Sequence, residues 1–318
     1  MKKRSTAPTS PPSSLTGADL LTIRDLGAAQ LEAVLATAAA CKAAPAKFAR
    51  SLAGQSVIML FEKPSLRTRV SFEVGIFRLG GHGLYYDHSK ERIGERETTH
   101  DYAKNLERFG HAIVARVFSQ KVLEELAQHS RVPVINALSN EHHPCQALAD
   151  MLTIREHFGT VKGKRIVYLG DGNNVCISLV QAAAKLGAHA VAICPDSHVP
   201  DAAEMAAAAM DAEAGGGSVK LTADVKAVKN ADVIYTDAWT SMHQTDAADR
   251  ERAFAKYQVN AKLMARANKK AIFMHCLPAH RGQEVTNEVI DSKQSVVFDQ
   301  AENRLWAQNG LLVELLGR

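Results

Sequence analysis

Apolar residues in this chain fall into short blocks of two kinds. Segments 57–61, 83–86, 112–118 and 132–137 are compact apolar runs between polar turns, and each predicts a strand. In segment 67–79 the apolar residues recur at helical spacing instead: 70, 74 and 77, then 72, 76 and 79. Segments 98–109 and 121–129 predict two further helices, and 20–44 predicts one ahead of the first strand. Strand and helix therefore alternate through the first part of the chain, which implies an α/β layer on a parallel sheet.

A helix over 144–158 follows. Pro144 suits a first helical turn, Leu148, Met151 and Leu152 form an apolar face, and Gly159 ends it. A second alternation comes next. Strands are expected at 165–169, 188–194, 219–222, 233–236, 271–275 and 295–298, with helices at 175–186 and 202–214. A last helix, from about 302 to 316, carries the stripe Leu312, Leu315 and Leu316. The expected architecture is two doubly wound parallel-sheet domains joined by the 144–158 helix, with the C-terminal helix packing back on the first. The expected boundaries are 1–14 for a disordered tail, 15–143 plus 302–318 for the first domain, and 144–301 for the second.

Bulk properties narrow the function. With 318 residues, 46% hydrophobic and 23% charged, the chain can bury two cores of ordinary size. A net charge of +4 is too mild to imply nucleic acid, although some of it can line a site for anions. No apolar run approaches a membrane span. Cys41, Cys145, Cys176, Cys194 and Cys276 are an odd, scattered set, as expected of reduced thiols in a cytoplasmic protein. The Ser-, Thr- and Pro-rich start, with Lys2-Lys3-Arg4, lacks the apolar stretch of a secretory signal.

Chemistry concentrates in the turns. Ser65-Leu66-Arg67-Thr68-Arg69 joins a strand to a helix start. Free N–H groups, a positive dipole end, two hydroxyls and a guanidinium fork suit phosphate or another oxyanion. The competing reading makes Arg67 and Arg69 solvated charges. His142-His143-Pro144-Cys145-Gln146 fits hydrogen bonding to a substrate through His143 and Gln146 better than a metal site, because its spacing matches no zinc pattern. Gly170-Asp171-Gly172-Asn173-Asn174 is not a dinucleotide fingerprint. Asn174 is either a helix cap or a grip for a carboxylate. Asp237 and Ser241 follow a strand and suit an ammonium group. In His275-Cys276-Leu277-Pro278, either a Cys/His nucleophile pair or a pocket-shaping turn fits. Arg304 either points into a cleft or is an exposed first-turn charge.

Taken together and in this order, these stretches resemble the transcarbamylases, the aspartate/ornithine carbamoyltransferase family, and most closely its ornithine branch. Ala115-Arg116-Val117 and Phe298-Asp299-Gln300-Ala301-Glu302-Asn303-Arg304 complete the set, which covers roughly 50 to 310. The resemblance implies a carbamoyl-phosphate domain, an ornithine domain and a homotrimer with sites at subunit interfaces. It implies transfer of a carbamoyl group from carbamoyl phosphate to L-ornithine, giving citrulline in arginine metabolism, with neither metal nor organic cofactor. Ser65, Leu66, Arg67 and Thr68 would hold the phosphate, and Arg116 would bridge phosphate and carbonyl. His143 and Gln146 would bind the carbamoyl group, with Cys276, Leu277 and Arg304 beside it. Asn174, Asp237, Ser241 and Met242 would hold ornithine. Arg92 falls where the family reaches into a neighbouring subunit. Arg116, His143, Cys276 and Asp237 are the expected catalytic set.

Three departures stand out. Leu66 replaces the family's usual Thr, as in relatives that use acylated ornithine. His243 replaces the usual Gly after Ser-Met, and Ile93-Gly94-Glu95-Arg96-Glu97 departs from the commoner interface loop. Acetylornithine, putrescine or aspartate as acceptor, and a non-catalytic ligand-binding paralogue, are the alternatives. Asp237 with Ser241-Met242 favours a free α-amino group and so ornithine.

Overall fold

The computed structural model describes residues 14–240 and 247–317. Its first sheet holds β1 (Ser56–Phe61), β2 (His82–Asp87), β3 (Ala112–Arg116) and β4 (Val134–Leu138), all parallel, in the order β2-β1-β3-β4. β1, β3 and β4 are buried nearly throughout, as strands covered by helices on both faces must be. Edge strand β2 is largely exposed. The helices of this half are α1 (Ala28–Ala43), α2 (Pro45–Phe48), α3 (Leu66–Arg78), α4 (Thr99–Leu106) and α5 (Gln120–His129).

The connector α6 (Pro144–Phe158) has Pro at its first turn and Gly159 in the left-handed region at φ 76° as its stop. Every residue from Pro144 to Ile154 is buried, so this helix is internal rather than a surface bridge. The second sheet follows, with β5 (Arg165–Leu169), β6 (His189–Ile193), β7 (Ser218–Thr222), β8 (Val233–Thr236) and β9 (Ile272–His275), parallel in the order β7-β6-β5-β8-β9. Its helices are α7 (Asn174–Lys185), α8 (Ala202–Gly215), α9 (Ala247–Phe254), α10 (Ala261–Met264) and α11 (Asn287–Ile290).

The final helix α12 (Val297–Leu316) returns to pack on α1, α3 and α6. Gly310 makes this docking possible. A Cβ there would meet the α1 backbone, 2.6 Å from Ala38 N and 2.7 Å from Val34 O. The largest apolar cluster accordingly runs from α1 and β1 through α6 and α12 into α7 and β5, so one core joins the two sheets. No helix among the described residues is long and apolar enough to cross a membrane.

Three expectations need correction. Residues 295–298 are not a strand: Ser295 makes one bridge to Phe273, and from Val297 the chain is helical, so α12 begins five residues before the expected Glu302. The run Val296-Val297-Phe298 has no period of its own, and Phe298 is exposed rather than sheet core. The helix expected from Leu20 starts only at Ala28. Leu20 instead bonds along β4, to Val134 O and from Asn136 N, and a Thr22–Asp25 capping box closes a short 3₁₀ turn. Finally, α9 is an element the sequence reading lacks, because its charged sequence shows no apolar stripe.

Candidate active site

Each sheet reverses its direction of growth once, between β1 and β3 in the first and between β5 and β8 in the second. In open parallel sheets a crevice forms there, beyond the carboxyl ends of the strands. The polar turns singled out in the sequence follow the ends of β1, β3, β4, β5, β8 and β9.

In the first half, Ser65 caps α3, its Oγ accepting from Thr68 N at 3.3 Å. Arg116 ends β3 beside a register shift against β4, an irregularity that re-aims a side chain at the rim of a sheet. His143 precedes the first turn of α6 and is held by its N–H to Ser178 Oγ at 2.8 Å. Arg304 reaches in from α12 and is buried, not an exposed first-turn charge. Its Nη1 donates to His143 Nε2 at 3.2 Å and to Gln146 Oε1, and its Nη2 donates to Thr68 Oγ1 at 3.1 Å. Three chain segments far apart in sequence thus meet on one guanidinium.

That geometry sets the protonation of His143. A guanidinium only donates, so Nε2 accepts and the ring proton sits on Nδ1. Burial, then Arg304, Arg116 and Lys63, hold the imidazole well below its ordinary value, so it is neutral. Burial, then Arg304 and Arg67, push Arg116 down to about 9, still charged at neutral pH. Among the described residues, His143 Nδ1, Arg116 Nε and Arg304 Nε are buried without a hydrogen-bond partner. Converging buried donors and clustered guanidinium groups suit an oxyanion.

Other expected residues separate. Arg67 is half-buried at the start of α3, whereas Arg69 pairs with Glu73 at 3.1 Å and lies 3.7 Å over the Tyr85 ring. The solvated-charge reading therefore holds for Arg69. Leu66 is 74% exposed. Arg92 lies 4.3 Å over the Phe118 ring. Phe118 also carries Lys63 Nζ at 4.4 Å, and Lys63 bonds Asn140 Oδ1 as well. Lys63 is buried, and its sequence signal was its place beside the Ser65 turn. His142, His143 and Cys145 face Glu204, Arg304 and the Asn136 carbonyl respectively, so they form no common ligand set.

In the second half, Asp237 follows β8. Its Oδ2 accepts from Asn173 Nδ2 at 2.9 Å, and its Oδ1 accepts from Cys276 Sγ at 2.9 Å and Ala238 N at 2.8 Å. The cap of α7 is Asn173, whose Oδ1 takes Val175 N and Cys176 N. Asn174 is not that cap; its side chain donates to Ser139 O at 2.6 Å across the domain junction. Ser241, Met242 and His243 lie outside the described residues.

His275 does not pair with Cys276. Its Nδ1 accepts from Leu277 N at 2.8 Å, and its Nε2 faces Glu284 Oε1 at 3.2 Å, both residues fully buried. Glu284 was missed, since only the fold brings it under His275. The turn above holds Leu277 at φ 57°, a backbone region costly for a branched residue, ahead of a cis Leu277–Pro278 bond. Burial and Asp237 push the Cys276 thiol well up, so it stays protonated. Asp237, His275 and Cys276 bring one ligand atom each within 4.8 Å of one another. Both His275 nitrogens are engaged, however, so the trio is not open to a cation. Arg116 and Arg304 both lie within electrostatic range of the Cys276 position, so the two half-sites face each other.

Comparison with known proteins identifies the family. Residues 18–156 match the family model described as aspartate/ornithine carbamoyltransferase, carbamoyl-P binding domain. Residues 162–315 match the Asp/Orn binding domain of the same family. The chain is 50% identical over 296 residues to an ornithine carbamoyltransferase of Shewanella oneidensis, covering 93% of this chain and 98% of that one. It is 50% identical over 308 residues to that of Thermococcus kodakarensis, covering 96% and 98%. The solved ornithine carbamoyltransferase of Pyrococcus furiosus superposes with a TM-score of 0.92 at 49% identity, covering 95% of this chain and 98% of that one. The chain belongs to the aspartate/ornithine carbamoyltransferase family.

Proposed function

We propose that this protein transfers the carbamoyl group of carbamoyl phosphate to the δ-amine of L-ornithine, giving L-citrulline and phosphate. The observation that carries the reading is the Arg304 junction: one buried guanidinium bonded to Thr68, His143 and Gln146, with Arg116 beside it and Asp237–Cys276 opposite. Similarity to ornithine carbamoyltransferases over more than nine-tenths of the chain favours ornithine over the other acceptors.

In this reading Ser65, the Leu66 backbone, Arg67, Thr68 and the α3 N-terminus hold the phosphate. Arg116 spans phosphate and carbonyl oxygen. His143 offers Nδ1–H to the carbonyl oxygen, with Gln146, Leu277 and Cys276 around the carbamoyl group. Asn174, Asp237, Ser241 and Met242 hold the α-amino and α-carboxylate groups of ornithine. The neutral δ-amine attacks the carbonyl carbon, a tetrahedral intermediate forms, and the C–O bond to phosphate breaks. Arg116, His143, Thr68 and Arg304 stabilise the oxyanion; one such donor is typically worth about 3 kcal/mol. The cationic cleft disfavours alkylammonium, so the amine gives one proton to solvent and enters neutral; the second proton, released from nitrogen as the C–N bond forms, passes to the oxygen of the departing phosphate.

The same reading takes 15–143 with 302–318 as the carbamoyl-phosphate domain and 144–301 as the ornithine domain. It assembles the chain as a homotrimer in which Arg92 serves a neighbour's phosphate site. The five free thiols favour the cytoplasm. The test is a side-by-side assay of carbamoyl transfer to ornithine, N-acetylornithine and putrescine. Turnover only with ornithine is expected, and none with ornithine would overturn the proposal.

A further inference from the structure

Two donors that cannot accept stand at opposite ends of a buried chain of side chains. At one end, the Arg304 guanidinium requires the oxygen of Gln146 to face it. At the other, the backbone N–H of His275 requires the oxygen of Gln300, at 2.9 Å. Each amide must then turn its NH2 away, and both turn it to the same atom. Asp150 Oδ1 accepts from Gln146 Nε2 at 2.8 Å and from Gln300 Nε2 at 2.7 Å. Asp150 lies on α6, Gln300 in the first turn of α12, and both are fully buried. Tyr235 of β8 adds its hydroxyl 3.1 Å from Gln300 Nε2. Only an acceptor in the middle satisfies this chain, and flipping either amide sets donor against donor.

We infer that Asp150 and Gln300 are positioning residues that hold the Arg304–Gln146 side of the cleft and the His275–Cys276 turn in one register. Neither has a side chain in the machinery assigned above. Gln300 makes no hydrogen bond to Thr68, Arg116, His143 or Arg304 among the described residues, yet it reaches them through Asp150 and Gln146. The two substrates are held by different domains, so reaction depends on how the two half-sites are set against each other. A change at Gln300, beside the acceptor side, is then felt by carbamoyl phosphate. The inference rests on the carbamoyl-transfer reading.

The test measures binding of carbamoyl phosphate alone, by calorimetry without ornithine, to the full-length protein. Gln300→Glu keeps the length and the acceptor for His275 but sets a carboxylate against Asp150. It should weaken carbamoyl phosphate binding about tenfold, the scale of one buried hydrogen bond to a charged group. Adding Asp150→Asn removes the like charge and lets an amide donate to the introduced carboxylate, although the one atom the two neighbours share cannot satisfy both. The double variant should bind carbamoyl phosphate at least about threefold more tightly than Gln300→Glu alone, a non-additivity that packing alone does not produce. Gln300→Met, of similar length and uncharged, carries the test if Gln300→Glu fails to fold, and should lose about fivefold. Unchanged affinity in a cooperatively folded Gln300 variant, or no recovery in the double variant, overturns the inference. A parent protein that binds no carbamoyl phosphate overturns the transfer reading instead.

Discussion

Cys276 Sγ donates to Asp237 Oδ1 across 2.9 Å, and among the described residues no histidine ring stands ready to take its proton. The thiol is held protonated by burial and by that carboxylate. It is therefore suited to hydrogen bonding beside the reacting amine and unsuited to nucleophilic attack, for which a thiolate is needed. Cys276→Ser keeps the donor. Its kcat should fall by no more than about tenfold, where loss of a covalent nucleophile costs many orders more. Intact-mass measurement of the wild-type protein with carbamoyl phosphate should show no adduct at Cys276. A trapped thiocarbamate would revive the nucleophile reading.

Arg67 stands at the start of α3, half-buried, close enough to Arg116 to push it down. No core contact depends on it. Arg67→Ala should raise the KM for carbamoyl phosphate at least about a hundredfold, the scale of a lost charge-assisted bidentate contact with phosphate. The melting temperature should stay within a few degrees. Near-normal kinetics would refute the phosphate assignment.

Much of this was legible in the chain because it is local. A strand, a hydroxyl-rich turn and a helix start are written consecutively in 57–79, and Pro144 and Gly159 bracket α6 visibly. What was illegible is tertiary. Glu284 matters because it lies under His275, Lys63 because it is buried against Phe118, and Gln300 because α12 starts early enough to aim it at Asp150. Their spacing announces none of these. The misread 295–298 segment shows the converse: an apolar run without period is assigned by what it packs on, and Gly310 docks α12 on the first domain.

Lys63 introduces a pH dependence with a definite sign. Burial, then Arg116, lowers its ammonium from the ordinary 10.5 to about 8, opposed by Glu141 and Glu62. Below about 8 it adds positive charge beside the turn proposed to bind phosphate, and above that value the charge is lost. The KM for carbamoyl phosphate should therefore climb as pH rises through about 8, and Lys63→Met should flatten that climb. Stability runs the other way. The unfolded chain binds this proton up to 10.5 and the folded one only to about 8, so folding gains from rising pH across that window. Melting temperatures of the two proteins between pH 8 and 10 should show the difference, and parallel profiles would discount the lowered lysine.

Leu66 is the irregular member of the proposed phosphate turn, and its position says how much that matters. It occupies the first position of α3, with its side chain 74% exposed, while the buried Thr68 two residues on faces Arg304. A helix N-terminus binds anions through backbone N–H groups, which Leu supplies as well as Thr does. Leu66→Thr should therefore change the KM for carbamoyl phosphate by no more than about twofold, the effect expected of a surface substitution. In the proposed reading Asp237, not Leu66, meets the acceptor, so the same variant should not begin to use N-acetylornithine. Kinetics of Leu66→Thr with both acceptors decide the matter. A tenfold gain in carbamoyl phosphate affinity would mean that the missing hydroxyl belongs to the site. A switch toward the acylated acceptor would mean that this position reads the second substrate across the cleft.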